Sequence, residues 1–242
     1  MGSLFKFNFR LGPWESCINL NFSQVELAPG FGAVCTRDQL GVFWVGEPRL
    51  YDEARENAHQ LARALVHAHA FCCFPKGPFL EVEPVTWLEI RNCEAKETVS
   101  GYMHPTLATA PLNPDHPDNV ILRRATTLVH KLYKFIPLQL AISDFHVACR
   151  ELGPYSAFYA FRVLEDVAFR FGATKDGKPD WTAMNTAFKT DENKWRPLTE
   201  AGKSARHLSE QKLQESVGAS REQQLTLAHE ALSLVFAHLG IT

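Results

Sequence analysis

The stretch YSAFYAFRVLEDVAFRF, residues 155–171, decides the fold of the second half of the chain. Its apolar residues recur at helical spacing on neighbouring faces, so little of the helix surface is polar. Such a helix is typical of the central strut of a bundle. Arg162 and Glu165 stand in its middle, one turn apart, where they can pair with each other or with a neighbouring helix. We interpret them as a buried structural ion pair, with a functional site as the alternative.

Further helical patterns stand on both sides of this stretch. Apolar residues recur at helical spacing over residues 121–135, 138–152, 198–208 and 225–239. Asp180 and Ser220 stand where side-chain oxygens can cap the helices that follow them. Residues 117–242 are therefore predicted to form a helical bundle.

The first hundred residues follow a different period. Phe5, Phe7 and Phe9 alternate with polar residues, which is typical of a half-buried strand. Short strand patterns follow at 18–27, 31–36 and 41–45, then a helical pattern over 51–73 and a last strand over 79–90. This order predicts a small antiparallel meander with one long helix laid on it.

The complete chain is thus predicted to be an α+β protein in two parts. Residues 1–95 form the α+β domain, residues 96–116 a linker rich in proline, and residues 117–242 the helical bundle. A strand pattern running through both halves would contradict this division.

Composition narrows the class of protein. The 242 residues are 45% hydrophobic and 21% charged, with a net charge of −2, which is typical of a soluble globular chain. The charge alone does not argue for a nucleic-acid or membrane partner. No apolar run approaches the ~20 residues that span a bilayer, and the N-terminus lacks a signal-peptide core. The six scattered cysteines predict reduced thiols, so we expect a cytoplasmic protein without a membrane partner.

No metal or cofactor is expected from the motifs. His69 and Cys73 share a helix face, but no second pair with zinc spacing accompanies them, so packing explains them better. The glycines at 30 and 32 lack the strand-then-helix context of a nucleotide-binding fingerprint.

Three short motifs carry a family resemblance. They are YSAFYAFRVLE at 155–165, DWTAM at 180–184 and ARH at 205–207, followed by a polar stretch and a closing helix from Arg221. Residues 137–239 resemble the Apea-like branch of the HEPN superfamily, small helical bundles found in prokaryotic defence and toxin systems. The resemblance implies a homodimer that brings two arginine–histidine motifs together.

The resemblance also implies a metal-independent endoribonuclease, with RNA or a nucleotide as its partner. Many family members place a histidine several residues after an arginine near a late helix. Arg206, His207 and Lys203 are the clustered set here that can fill these roles. A histidine can act as acid or base, and a cation can stabilise charge on the reacting phosphate.

The motif departs from the family's arrangement because Arg206 and His207 are adjacent. Neighbouring residues project about 100° apart on a helix. The alternative is therefore a catalytically inactive bundle that binds a protein partner or a nucleotide. A solvent-exposed His207 in a basic groove would favour catalysis, and a packed one would favour a structural role.

Overall fold

The computed structural model describes residues 3–90, 115–206 and 220–241. The protein has an α+β fold, with an antiparallel sheet followed by a mostly helical region. The chain divides into two compact units. The first contains Met1–Cys72 and Leu80–His130, and the second contains Cys73–Phe79 and Lys131–Thr242.

Five strands of the described chain form one antiparallel sheet. They are β1 (Ser3–Gly12), β2 (Asn21–Ala28), β3 (Phe31–Thr36), β4 (Gln39–Gly46) and β5 (Glu81–Ile90). Their order is β2-β3-β4-β1-β5, so the predicted simple meander is wrong for β1, which lies between β4 and β5. The segment after β1 contains a 3₁₀ helix, Trp14–Cys17, and this longer connection replaces a tight hairpin between β1 and β2.

Helix α1 (Tyr51–Cys73) lies against one face of this sheet and has the bounds that the sequence predicted. The ring of Tyr51 lies 5.3 Å from that of Phe5, and His59 stacks on Phe9 at 5.9 Å. The apolar residues of β1 and those on one face of α1 are buried: Phe5, Phe7, Phe9, Leu11, Ala54, Ala58, Leu61 and Leu65. This layer is the core of the first unit.

Lys6 departs from the predicted alternation, because it is buried although it faces away from α1. Gly41 on the neighbouring strand, which pairs with Asn8, has no side chain, and a Cβ there would stand 2.7 Å from Lys6 Cε. The lysine chain therefore lies across the glycine, with its ammonium 5.6 Å from the ring centre of Phe43. Burial lowers the pKa of Lys6.

Helix α2 (Pro117–Leu132) belongs for most of its length to the first unit. The backbone N–H of Asn21 in β2 donates a hydrogen bond to Asn119 Oδ1 at 2.7 Å, which ties the start of α2 to the sheet. The boundary between the units therefore falls after residue 130, whereas the sequence predicted it before 117. Most of the predicted linker, residues 96–114, lies outside the described residues.

The second unit is built around one central helix. Its helices are α3 (Ile136–Arg150), α4 (Gly153–Phe169), α5 (Trp181–Phe188), α6 (Glu192–Arg206) and α7 (Arg221–His238). α4 contacts all four others, as the 155–171 pattern predicted for a central strut. Its buried face consists of small and apolar residues: Ala157, Ala160, Phe161, Val163, Leu164, Val167 and Ala168.

The two predicted helix caps are present. Ala183 N donates to Asp180 Oδ1 at 2.9 Å at the start of α5, and Gln223 N donates to Ser220 Oγ at 3.2 Å at the start of α7. Each cap satisfies a backbone N–H that has no partner inside its helix.

Candidate functional site

The last residue of α6, Arg206, reaches across to α4. Its guanidinium donates to the carboxylate of Glu165 and lies 4.8 Å from the ring centre of Phe161. Gly202, one turn earlier, makes this approach possible, because a Cβ there would stand 2.2 Å from Phe161 Cβ. The sequence feature that brings Arg206 onto α4 is therefore a glycine in the contact face of α6.

Arg162 bonds to a different helix. Its Nε donates to Asp144 Oδ2 of α3 at 2.7 Å, and its Cζ lies 6.0 Å from the ring centre of Phe158. Of the two predicted pairings for Arg162 and Glu165, the structure shows the one with neighbouring helices.

The prediction that both groups are buried inside the bundle is wrong. The Arg162 side chain keeps 42% of its surface exposed, and that of Glu165 keeps 20%. Both residues project from the side of α4 that lies opposite its apolar core face, so the pairs form at the unit's surface.

Asp166 completes the group of charges, which we call the Arg162 network: Asp144, Arg162, Glu165, Asp166 and Arg206. Asp166 Oδ2 is buried and has no hydrogen-bond partner among the described residues. Burial and the charges of Asp144 and Glu165 together raise the pKa of Asp166 to about 7, and Arg162 opposes them. Burial also raises the pKa of Asp144 and of Glu165, each opposed by its arginine.

Sequence reasoning missed Asp144 and Asp166. Asp166 stands one turn after Arg162, so its proximity was readable from the spacing. The position of Asp144 depends on how α3 packs against α4, and no local spacing encodes that.

The predicted catalytic set is only partly brought together. Lys203 is exposed on α6, three residues before Arg206, while Arg206 is held by Glu165. His207 lies outside the described residues. The described part of the predicted motif therefore consists of one cation paired with a carboxylate and one cation exposed to solvent.

Exposed apolar residues continue the surface beside the network. Two contacts show how α3 and α4 align: the Arg162 side chain bonds to Asp144, and Arg170 Cζ lies 5.5 Å from the ring centre of Phe135. Between these two levels α3 presents Ile136 and Leu140, which are 67% and 50% exposed. α4 presents Phe169, which is 40% exposed, and Asp166, which is partly exposed although its Oδ2 is buried. We call Ile136, Leu140, Asp166 and Phe169 the α3–α4 surface.

The described residues contain no group of three or more histidine, cysteine, aspartate or glutamate side chains arranged to hold a metal ion. His69 and Cys73 are both buried in α1, and Cys73 Sγ donates to the carbonyl of Pro78 at 3.3 Å. Burial raises the pKa of the Cys72 thiol to about 11 and that of Cys149 to about 12. None of the helices in the described ranges is both long and apolar enough to cross a membrane.

Comparison with known proteins gives one match. Residues 125–235, which include α3 to α6, are similar to the C-terminal domain of DUF8168, a domain of unknown function. No curated protein and no solved structure matches the chain. The matched range contains all five residues of the Arg162 network.

Proposed function

We propose that the second unit is a protein-association module without catalytic activity, and that it pairs with a second copy of itself through the α3–α4 surface. One observation carries the proposal. Both arginines of the Arg162 network are bound to carboxylates, while apolar side chains beside them are open to solvent.

The charges of the network argue against an open phosphate site. It holds three carboxylates and two guanidinium groups, and each arginine also lies near aromatic rings. A phosphate approaching Arg206 would compete with the bound Glu165 and would meet repulsion from the carboxylates of the network. A protein surface does not meet this obstacle, because it can cover the existing pairs.

The apolar side chains favour a protein partner. Contiguous exposed apolar residues with a polar rim mark association sites on proteins. A two-fold contact places the same surface of both copies together, so the surface must be complementary to itself, which apolar groups with neighbouring charges of both signs allow. The α3–α4 surface with its neighbouring network meets this requirement. The resemblance of residues 137–239 to the HEPN superfamily, many of whose active members work as dimers, supports the same proposal.

Light scattering of the purified chain over a range of concentrations tests the association. The proposal expects the mass of two chains at micromolar concentration. Arg206→Ala should keep that mass, because Arg206 lies beside the surface and not on it. A single-chain mass at high micromolar concentration would contradict the proposal.

A metal-independent ribonuclease is the second candidate, and the end of α6 favours it. Lys203 is exposed there, Arg206 keeps 40% of its side chain exposed, and His207 follows. In this chemistry the 2′-hydroxyl of RNA loses its proton to a base such as histidine and attacks the adjacent phosphate. The bond from phosphorus to the 5′-oxygen of the next nucleotide breaks, that oxygen takes up a proton, and a cation stabilises the charge on the phosphate.

Incubation of the chain with mixed RNA, with and without a chelator, separates the two candidates. Catalysis predicts cleavage that persists with chelator and is lost in Arg206→Ala and His207→Ala. Arg196→Ala is the matched control, because Arg196 is an exposed arginine of the same helix whose side chain bonds, among the described residues, to Asn193 at 2.6 Å. An association module predicts intact RNA in every arm.

A further inference from the structure

Arg162 lies between two carboxylates on different elements. Asp144 is across the helix contact on α3, and Asp166 is one turn further along α4. Arg162 is bound to Asp144, while Asp166 Oδ2 is buried and has no partner among the described residues. An arginine can pair with an acid four residues away on its own helix, so both positions are within its reach.

We propose that Arg162 is the moving part of a proton-controlled switch. With a proton on Asp166, Arg162 bonds to Asp144 and holds α3 against α4. When Asp166 loses its proton, Arg162 turns to Asp166, and the bond between the two helices is lost. The switch lies at the α3–α4 surface. Only its effect on the pairing of two chains rests on the proposed function, and the movement of Arg162 does not.

The cluster of charges explains why a proton decides the position. Deprotonation of Asp166 creates a third negative charge beside Asp144 and Glu165, and a buried carboxylate without a counter-ion is unfavourable. Glu165 already has Arg206, so Arg162 can move between Asp144 and Asp166, with Arg170 as the other arginine one turn from Asp166. The same burial and acidic neighbours place the pKa of Asp166 at about 7, where a small change of pH changes its charge.

The charged groups of α6 and α7 either have partners of their own or are exposed to solvent. On α7, Arg221 donates to the carbonyl of Cys149 at 2.6 Å, and Glu230 pairs with Lys194 at 2.5 Å. His238 of α7 packs on Phe171, with ring centres 5.3 Å apart. α5 contains no charged residue.

Arg170 is the other arginine that can pair with Asp166, because it stands one turn after it. Its guanidinium lies over Phe135, and its Nε is buried without a partner among the described residues. An arginine that follows an acid by four residues is well placed to pair with it. The experiment therefore includes a variant of each arginine.

The test is a nuclear magnetic resonance titration of the isolated chain from pH 5 to 9. It follows the Asp166 carboxyl carbon and the side-chain Nε–H signals of Arg162 and Arg170. We expect the Asp166 signal to titrate with a midpoint near 7 and the Arg162 signal to change with the same midpoint. Asp166→Asn should abolish the Arg162 transition, and Arg170→Gln should leave it in place.

Asp176→Asn is the matched control, because Asp176 is an exposed acid in the loop before α5. It should leave both midpoints unchanged. The switch would be overturned if the Arg162 signal stayed constant through the Asp166 transition. It would also be overturned if the Arg162 transition persisted in Asp166→Asn or disappeared in Arg170→Gln. The titration needs no second chain, so a monomeric protein would contradict the association proposal but not the switch. Failure of the switch would not contradict the association proposal.

Discussion

Asp166 combines a carboxylate with surroundings that disfavour its charge. Its Oδ2 is buried without a partner among the described residues, and Arg162, one turn before it, is bound to Asp144. Proteins keep most buried polar groups hydrogen-bonded, so an exception beside two other acids indicates a group that is protonated near neutral pH. The spacing of Asp166 from Arg162 is visible in the sequence, whereas its burial and its second acidic neighbour follow only from the packing of α3.

The first prediction concerns Asp166→Asn and the pH dependence of stability. The pKa of Asp166 is raised from 3.8 to about 7, so between these values the folded state binds more protons than the unfolded state. Stability of the parent chain therefore falls as pH rises through this window, and the loss is complete above about pH 7. Because Asp166 is partly exposed to screening solvent, we expect a gain on the order of 1 kcal/mol for Asp166→Asn at pH 8.

Urea unfolding of the parent and the variant at pH 4 and pH 8 measures this effect. The difference in unfolding free energy should be small at pH 4 and favour the variant at pH 8. A variant less stable than the parent at pH 8 would show that the ionised Asp166 carboxylate stabilises the fold, which contradicts a raised pKa of Asp166.

The second prediction concerns Arg162→Ala. Breaking a fully buried ion pair costs about 3–5 kcal/mol, but 42% of the Arg162 side chain is exposed. Asp144, which is only 13% exposed, would lose its donor, so we expect a loss of about 1–2 kcal/mol in unfolding free energy. The loss should be measured by urea unfolding beside Arg196→Ala, which should change stability by much less. Equal losses of unfolding free energy in the two variants would show that the Arg162–Asp144 pair stabilises the fold no more than an exposed arginine does.

At the scale of elements, local patterns predicted much of the fold. The helical pattern gave α1 its bounds at Tyr51 and Cys73, and Asp180 and Ser220 marked the starts of α5 and α7. The position of β1 between β4 and β5 was not predicted, because strand order depends on pairings between distant residues. The attachment of α2 to the first unit was missed for the same reason, since it depends on the Asn119–Asn21 bond.

The third prediction concerns the contact between α4 and α6. Gly202→Ala would place a Cβ 2.2 Å from Phe161 Cβ, so one helix must move. Alanine favours helix by about 1 kcal/mol over glycine, yet overpacking costs about 1–3 kcal/mol, and displacement also strains the Arg206–Glu165 pair. We expect a net loss of about 1–2 kcal/mol in thermal or urea unfolding. Ser204→Ala on the same helix should be close to neutral, and a stabilised Gly202→Ala would contradict the tight contact.

The fourth prediction concerns the end of α3. Arg221, the first residue of α7, donates from Nη2 to the carbonyl of Cys149 at 2.6 Å and from Nε to that of Glu151 at 3.2 Å. These bonds satisfy carbonyls that the end of a helix leaves without partners and place a positive charge at its negative end. Arg221→Ala should lower the unfolding free energy by about 1–2 kcal/mol. Arg63→Ala, an exposed arginine of α1, is the control, and equal losses would show no specific cap.

At the scale of the whole molecule, the described residues divide into a sheet unit and a helical unit. The match to the DUF8168 C-terminal domain covers the core of the helical unit, including the Arg162 network and the α3–α4 surface. The sequence predicted the bundle and the central helix, but it assigned function to residues 203–207. The structure instead indicates the outer side of α3 and α4 as the candidate surface, because only the packed helices show which apolar side chains remain exposed.

Sedimentation equilibrium of Leu140→Glu beside Leu50→Glu tests the association surface most directly. Both residues are exposed leucines, at 50% and 41%, but Leu140 lies on the α3–α4 surface and Leu50 lies in the first unit. Glutamate keeps the helix propensity of α3 while adding a charge to the surface. We predict the mass of two chains for the parent and for Leu50→Glu, and the mass of one chain for a folded Leu140→Glu. A Leu140→Glu variant that pairs as tightly as the parent would contradict the assignment of this surface.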